Sequence, residues 1–523
     1  MANFNLPGVY TFYKERGLMV APAAPDSVTD EILLIGTAHD GPKNIPTRIE
    51  RPEDAFNLFG NPGRLDNKHA GSLLVPAFCE AYYAGARNIY LMRITGEEAK
   101  LEGVGGLFDL YAPYPGEKYN GIMVAVDNKK IYIWNKDNIG IDSWEDLLDN
   151  ADEDQYEVFD AANTNKYKTV GDLAEDIVAR ANLRVVIRDD VDVNAQPGEL
   201  IGDFENAQFE GGEDGTDVSP SEYKEALAEA YELIVDYNVK IVVPLGVYVG
   251  MTDDTTPVYD RTDADILANF CYTAAKRNND VIGIISVKPF GGNSLSEVNT
   301  KIKALVNNAN NEIIAEDGID IGKYVSIVIG EGLFSDRRLG EYTNTIAAAY
   351  AGLVSTLPIQ SGSTNKVISG ISSLLYDISP AQASELRDKR FTVIRNKFNR
   401  GITVVEGIVC SLPTSDFQSL STVRVVHGVM DAIREIVDPF IGESLDIPHV
   451  TSLQNAIEGR LNRFVEEGAI TAASFQILFP QNAAILGDVH VELELGIASE
   501  LRRILVTVSR SISDLNNRFR YKF

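Results

Sequence analysis

The chain reads as an α/β protein, mixed α+β overall, and three stretches carry that reading. Strands at Lys240 to Leu245, Val281 to Val287 and Tyr324 to Ile329 alternate with helices near Asp263 to Arg277, Ser294 to Asn308 and Asn344 to Ser355, which predicts a largely parallel sheet covered by helices. Ile122 to Val126 and Lys130 to Trp134 instead pattern as paired strands around Asp127-Asn128, the mark of a separate β-rich module. From Leu420 onward two amphipathic helices precede two alternating strands, an α+β ending.

In chain order, residues 1 to about 30 hold Pro7-Gly8-Val9-Tyr10, a β-prone run to Tyr13 and the linker Ala21-Pro22-Ala23-Ala24-Pro25, a strand on a Pro-rich tether. Ile32 to Gly36 is a short buried strand; helices near Pro52 to Phe59 and Ser72 to Ala84 and a strand at Asn88 to Ile94 complete an α/β unit. The acidic stretch after the paired strands holds a helix at Val170 to Ala181 and a strand at Leu183 to Ile187. Gly211-Gly212-Glu213-Asp214-Gly215 marks a boundary, and Ser219-Pro220-Ser221-Glu222 caps a helix running to Tyr237. Because the strand theme of residues 32 to 94 resumes at Lys240, the outer segments are expected to be insertions into one α/β core.

In the C-terminal part, Val426, Val429, Met430, Ile433 and Val437 give the helix from Ser421 to Val437 one apolar face, and Asp438-Pro439 stops it. A second helix is expected to open at Thr451 with Gln454 as its capping partner and to end at Gly468. Ser474 to Phe479 and Asp488 to Leu495 alternate as half-buried strands, and the β-branched run Arg502 to Arg510 has the character of a strand able to join another chain's sheet edge.

At 523 residues the chain exceeds one ordinary core, and its 45% apolar and 24% charged residues are those of a globular protein. No apolar run reaches the ~18 residues needed to span a bilayer, and Met1 to Tyr10 lacks the pattern of a signal peptide, so synthesis and folding in a cytoplasm are expected. The net charge of −29 argues against nucleic-acid binding. Ile141 to Asp217 carries 22 acidic and 5 basic residues, net −17, whereas Ala381 to Phe523 is nearly balanced and its last stretch from Arg502 is basic. That asymmetry suits a solvated outer module and an inner surface that meets an acidic partner.

No constellation for chemistry stands out. Gly318 to Tyr324 is too short for a phosphate loop and has Tyr where Ser or Thr must bind the metal; Gly330-Glu331-Gly332 lacks the third glycine of a dinucleotide site. Gly212 to Asp217 lacks the ligand alternation of a calcium loop. Cys79, Cys271 and Cys410 lie far apart, and His39, His69, His427, His449 and His490 fall in no ligand spacing, so no cofactor or metal is expected.

Pro7 to Tyr10, Ile35 to Pro42, Phe56 to Gly60, Tyr114 to Ile122, Gly211 to Gly215 and Ala351-Gly352 with Pro358, in that order, together resemble motifs of the contractile tail sheath proteins of tailed bacteriophages and phage-tail-like injection systems. Pro7-Gly8-Val9-Tyr10 is similar to the family's opening motif. Ile35-Gly36-Thr37-Ala38-His39-Asp40-Gly41-Pro42 followed by Phe56 to Gly60 is similar to its first core strand, Gly-Pro turn and short helix. Tyr114 to Ile122 resembles its Pro-Gly, Gly-Asn strand start, with Tyr119 where Gly is usual; Gly211 to Gly215 resembles its Gly-Gly, Asp-Gly element, and Ala351-Gly352 with Pro358 its Ala-Gly helix end. The helix pair, the Gly468-Ala469 turn and the two strands complete the series. Arg424 is followed by Val425 where the family often has adjacent basic residues.

The resemblance implies a non-enzymatic subunit that stacks with itself as hexameric rings around an inner tail tube, contracts to drive the tube through an envelope, and meets baseplate and terminator proteins. It implies a place in a virion or particle tail, without membrane insertion. Its domains would be an N-terminal arm (1–30), a first core part (31–98), an inserted acidic outer domain (99–210), the main α/β domain (211–380), a tube-facing assembly domain (381–500) and a C-terminal arm (501–523). Pro7, Gly8, Val9, Tyr10 and Phe12, and Ile504, Leu505, Val506, Thr507 and Val508, would be exchanged strands; Phe475, Ile477, Val489, Val491 and Leu493 would form the receiving sheet. Arg424, His427, Asp431 and Arg434 are the candidates for facing the tube. The competing expectation is an enzyme with a site at the strand ends near Leu245 and Gly330.

Overall fold

The computed structural model describes residues 30–66, 68, 74–152, 154–253, 256–291, 294–444, 446–479, 489–498 and 500. Both expected arms, with Pro7, Gly8, Val9, Tyr10 and Phe12 and with Ile504 to Val508, lie outside the described residues.

The main sheet runs, in spatial order, Thr47–Ile49, Ile89–Arg93, Ile32–Gly36, Ile241–Pro244, Ile282–Val287, Val325–Ile329, Phe391–Lys397 and Gly401–Val404. Its inner strands are parallel, and the strand at each end is antiparallel. Strands buried on both faces need apolar residues in unbroken runs, and Ile32–Gly36 and Ile282–Val287 have them. Alternation then divides the run: Ile32 and Leu34 enter one core with helices Leu74–Ala84 and Ala347–Thr356, while Leu33 and Ile35 enter the other with Pro220–Ile234, Thr262–Lys276 and Leu295–Asn308.

Between Arg93 and Ile241 the chain leaves this sheet. It builds a four-stranded antiparallel sheet (Phe204–Gln208, Ile122–Asp127, Lys130–Asn135, Tyr156–Asp160) and a three-stranded one (Lys100–Val104, Phe108–Tyr111, Arg184–Ile187), which share a core containing Phe108, Val124, Ile131, Phe159 and Leu173. The hairpin turn lies one residue later than expected, because Asn128 and Lys129 take the left-handed conformations such turns require. Outgoing and returning chains lie side by side, with Glu97 bridged to Glu213. The fully buried Arg93 laces them, donating from Nη1 to Pro115 O (2.7 Å) and from Nη2 to Asp214 O (2.6 Å). Gly215 has φ +69 and lies so close that a Cβ would stand 2.2 Å from Gly96 N.

Four expectations are corrected. The main sheet continues past residue 380, since Phe391–Lys397 pairs in parallel with Val325–Ile329. The helix expected at Asn344 begins at Ala347, because Gly340–Thr345 is a strand paired with Glu331–Asp336. Gly352 does not end that helix but sits inside it, where it crosses Leu74–Ala84. The second C-terminal helix starts at Ile447 rather than Thr451: Asp446 accepts from His449 N as its cap, Pro448 lies in the first turn, and Thr451 Oγ1 donates back to Ile447 O.

Candidate functional site

The helix Leu420–Val437 is sandwiched. Leu420, Val423, Val426 and Met430 pack into the main core, while Val425, Val429, Ala432 and Ile433 pack against Leu453, Ile457, Leu461 and Phe464 of the following helix. Between the two apolar flanks, Arg424, His427, Asp431 and Arg434 fall at i, i+3, i+7 and i+10 on one narrow stripe.

These are the four residues expected to face the tube, and the structure buries two of them, Arg424 and His427, within the subunit. Arg424 is 4% exposed and donates from Nη2 to Asp30 Oδ2 (2.7 Å), from Nε to the same oxygen (3.0 Å) and from Nη2 to Leu357 O (2.7 Å). His427 is buried, its ring stacked at 5.8 Å on Tyr324. Asp431 accepts from Lys240 Nζ (2.6 Å) and from Arg434 Nη1 (2.8 Å), and Arg434 Nη2 lies 2.7 Å from Asp280 Oδ2. Arg424 and His427 therefore belong to an internal seam, while Asp431 and Arg434 keep partly exposed side chains, at 31% and 12%.

Asp30, Lys240, Asp280 and Tyr324 share one position: each stands within two residues ahead of a parallel strand of the main sheet. The helix thus docks on the N-terminal edge of the sheet. Enzymes of this architecture build their sites at the opposite edge. There, near Leu245, the structure leaves a cavity of about 10 Å³ lined by Glu80, Pro244, Leu245, Tyr248, Ser286 and Asn344, about the space of a single water.

Burial governs the electrostatics of the seam. Desolvation holds the His427 imidazole down at about 3, opposed by Asp431 and helped by Lys240, Arg434 and Lys323, so the ring is neutral. Burial likewise pushes the Asp280 carboxyl up, against the pull of Arg434. Removing one member of such a buried pair costs about 3–5 kcal/mol, because the other charge is stranded.

The second part of the site is the terminal hairpin, Ile470–Leu478 paired antiparallel with His490–Ile497. Phe475 stands opposite Leu493 and Ile477 opposite Val491, and all four pack against the cluster formed by the two helices. Val489 lies just before the second strand, partly buried. Ser474, Gln476, Glu492 and Glu494 face away. Among the described residues this sheet has only two strands, and no described strand pairs with either outer edge.

Glu500, which sequence reasoning missed together with Asp30, Lys240 and Asp280, fixes the chain beyond the hairpin. Its carboxylate accepts from Ser419 Oγ (2.6 Å), Ser421 Oγ (2.5 Å) and Thr364 Oγ1 (2.8 Å), at the N-terminal end of the sandwiched helix. The only signal for these residues was position, a charge beside an apolar strand or at the border of a polar terminal segment.

No family model and no curated protein matches the chain. Solved structures do. A sheath tail protein from Desulfitobacterium hafniense is 14% identical over 94% of this chain and 97% of its own, with a TM-score of 0.53. One from Listeria innocua is 13% identical over 90% of this chain and 96% of its own, also at 0.53. A chain of the PVC sheath complex, an extracellular contractile injection system in its contracted state, is 12% identical over 98% and 99% at 0.50. Along nearly its whole length the chain has the fold of contractile sheath proteins.

Proposed function

We propose that this chain is the structural, non-enzymatic subunit of a contractile tail sheath. Copies stack as hexameric rings around an inner tail tube, between baseplate and terminator proteins, and contract to drive the tube through a target envelope. The particle is a phage virion or a related injection machine, assembled in a bacterial cytoplasm. The observation that carries this reading is the terminal hairpin: among the described residues a two-stranded sheet with no further strand on either edge, on a body with the sheath fold along nearly its whole length.

An added strand completes such a sheet through backbone hydrogen bonds, which survive reorientation of the bodies when a linker takes up the rotation. Residues 3–25 and 501–523 are the strands we assign to neighbouring hairpins. Contraction is then a cooperative change between two packings of the same bodies.

Negative-stain microscopy of the expressed chain tests this. Long ribbed tubes are expected, and a uniform small oligomer would overturn it. Deletion of residues 502–523 is expected to abolish tubes while circular dichroism remains that of the folded subunit; tubes of normal length would sink the strand exchange.

A further inference from the structure

The strands Phe391–Lys397 and Gly401–Val404 form a hairpin at the end of the main sheet, and Phe398 at its tip is 93% exposed. The position is built: Arg400 N donates to Lys397 O (3.0 Å), and Asn399 and Gly401 adopt φ +63 and +90. Val393, Ile394, Ile402 and Val404 bury the base of the hairpin. A bare phenylalanine is therefore held out on a rigid stem.

Its surroundings are cationic. From Lys389 to Val404 the sequence has five basic residues and no acidic one, in a chain of net charge −29. Among the described residues Arg395, Lys397 and Arg400 form no ion pair; Arg395 Nε is spent on Ile378 O (2.7 Å) and Lys397 Nζ on Asn365 Oδ1. Burial lowers the Lys397 ammonium, and the neighbouring Arg395 and Arg400 lower it further. An aromatic anchor flanked in sequence by cations fits an acidic surface with an apolar spot at its centre.

Every copy of the chain carries one. Residues 141–217 have net charge −17, and within them Leu148 (47% exposed) lies beside Asp149 and Val193 (46%) beside Asp192. We propose that Phe398, with Lys397 and Arg400 around it, docks on the acidic outer domain of a second copy. An anionic lipid surface would attract the same tip but repel the rest of so acidic a chain, which favours the protein partner. The proposal rests on the sheath reading only in requiring a neighbouring copy.

The test uses the full chain carrying Phe398→benzoylphenylalanine, irradiated at low salt and digested. Cross-links to residues 141–217 of another copy are expected; cross-links elsewhere, or none, would overturn the docking. Phe398→Ser and the pair Lys397→Glu, Arg400→Glu are expected to weaken self-association at least tenfold at low salt with unchanged circular dichroism. Wild-type self-association in both, or loss of anionic-vesicle binding as the only defect, would also overturn it. Expected cross-links without ribbed tubes in micrographs would instead defeat the sheath reading and leave the docking standing.

Discussion

Asp30 and Arg424 are 394 residues apart in sequence and share a hydrogen-bonded ion pair at 2.7 Å, with side chains 14% and 3% exposed. The pair fastens the chain that precedes the first core strand to the sandwiched helix. Arg424→Met strands the carboxylate of Asp30 and leaves Leu357 O without its donor, so a loss of about 3–5 kcal/mol is expected in denaturant unfolding. Asp30→Asn keeps the shape but removes the charge, and should lose less. Equal losses in the two variants would show that the charge pairing alone matters there.

Glu500 and Gly362 make a second pair, of space rather than charge. A Cβ at Gly362 would stand 2.2 Å from the Glu500 carboxylate, so Gly362→Ala and the three hydroxyl contacts of Glu500 cannot coexist. Each of Gly362→Ala and Glu500→Ala is expected to speed hydrogen exchange around Ile497. The double variant should be little worse than either alone, and full additivity would refute the clash as the cause.

Two buried groups give stability opposite pH dependences. Burial raises the Glu80 carboxyl from 4.5 to about 8, against a hydrogen bond from Asn344. The folded state then holds a proton that the unfolded state has released, so stability falls as pH rises from about 4.5 toward 8, by at most about 1.4 kcal/mol per pH unit. His427 is neutral when folded, with its pKa lowered from 6.5 to about 3, so it removes stability as pH falls through that window. Urea titrations across pH should show Glu80→Gln flattening the alkaline limb and His427→Phe the acidic one; unchanged slopes would refute the assignment.

Gly352 tests the helix crossing. A Cβ there would meet Ala81 O at 2.4 Å, and backbone cannot swing aside as a side-chain tip can. Gly352→Ala gains about 1 kcal/mol of helix propensity and loses about 1–3 kcal/mol to overpacking. A lowered thermal midpoint is expected, and a raised one would show that the helices can separate at that point.

Much of this architecture was legible because its signals are local. Ser219 and Glu222 formed the capping box that their spacing announced, and the apolar runs at Ile32 and Ile282 became buried parallel strands. What escaped depends on contacts remote in sequence. The stripe from Arg424 to Arg434 has the periodicity of a wet helical face, and only contacts with Asp30, Lys240 and Asp280, each just ahead of a different strand, pair it within the subunit. Gly352 escaped similarly, since a glycine at a helix crossing and one at a helix end look alike until the second helix is known.

The bridge between Glu97 and Glu213 has an evolutionary corollary. A module whose two ends lie one strand spacing apart can be exchanged for a larger, smaller or differently charged one without re-threading the sheet beneath it. The inserted module is thus replaceable, free to diversify in size and charge while the main sheet under it keeps its form.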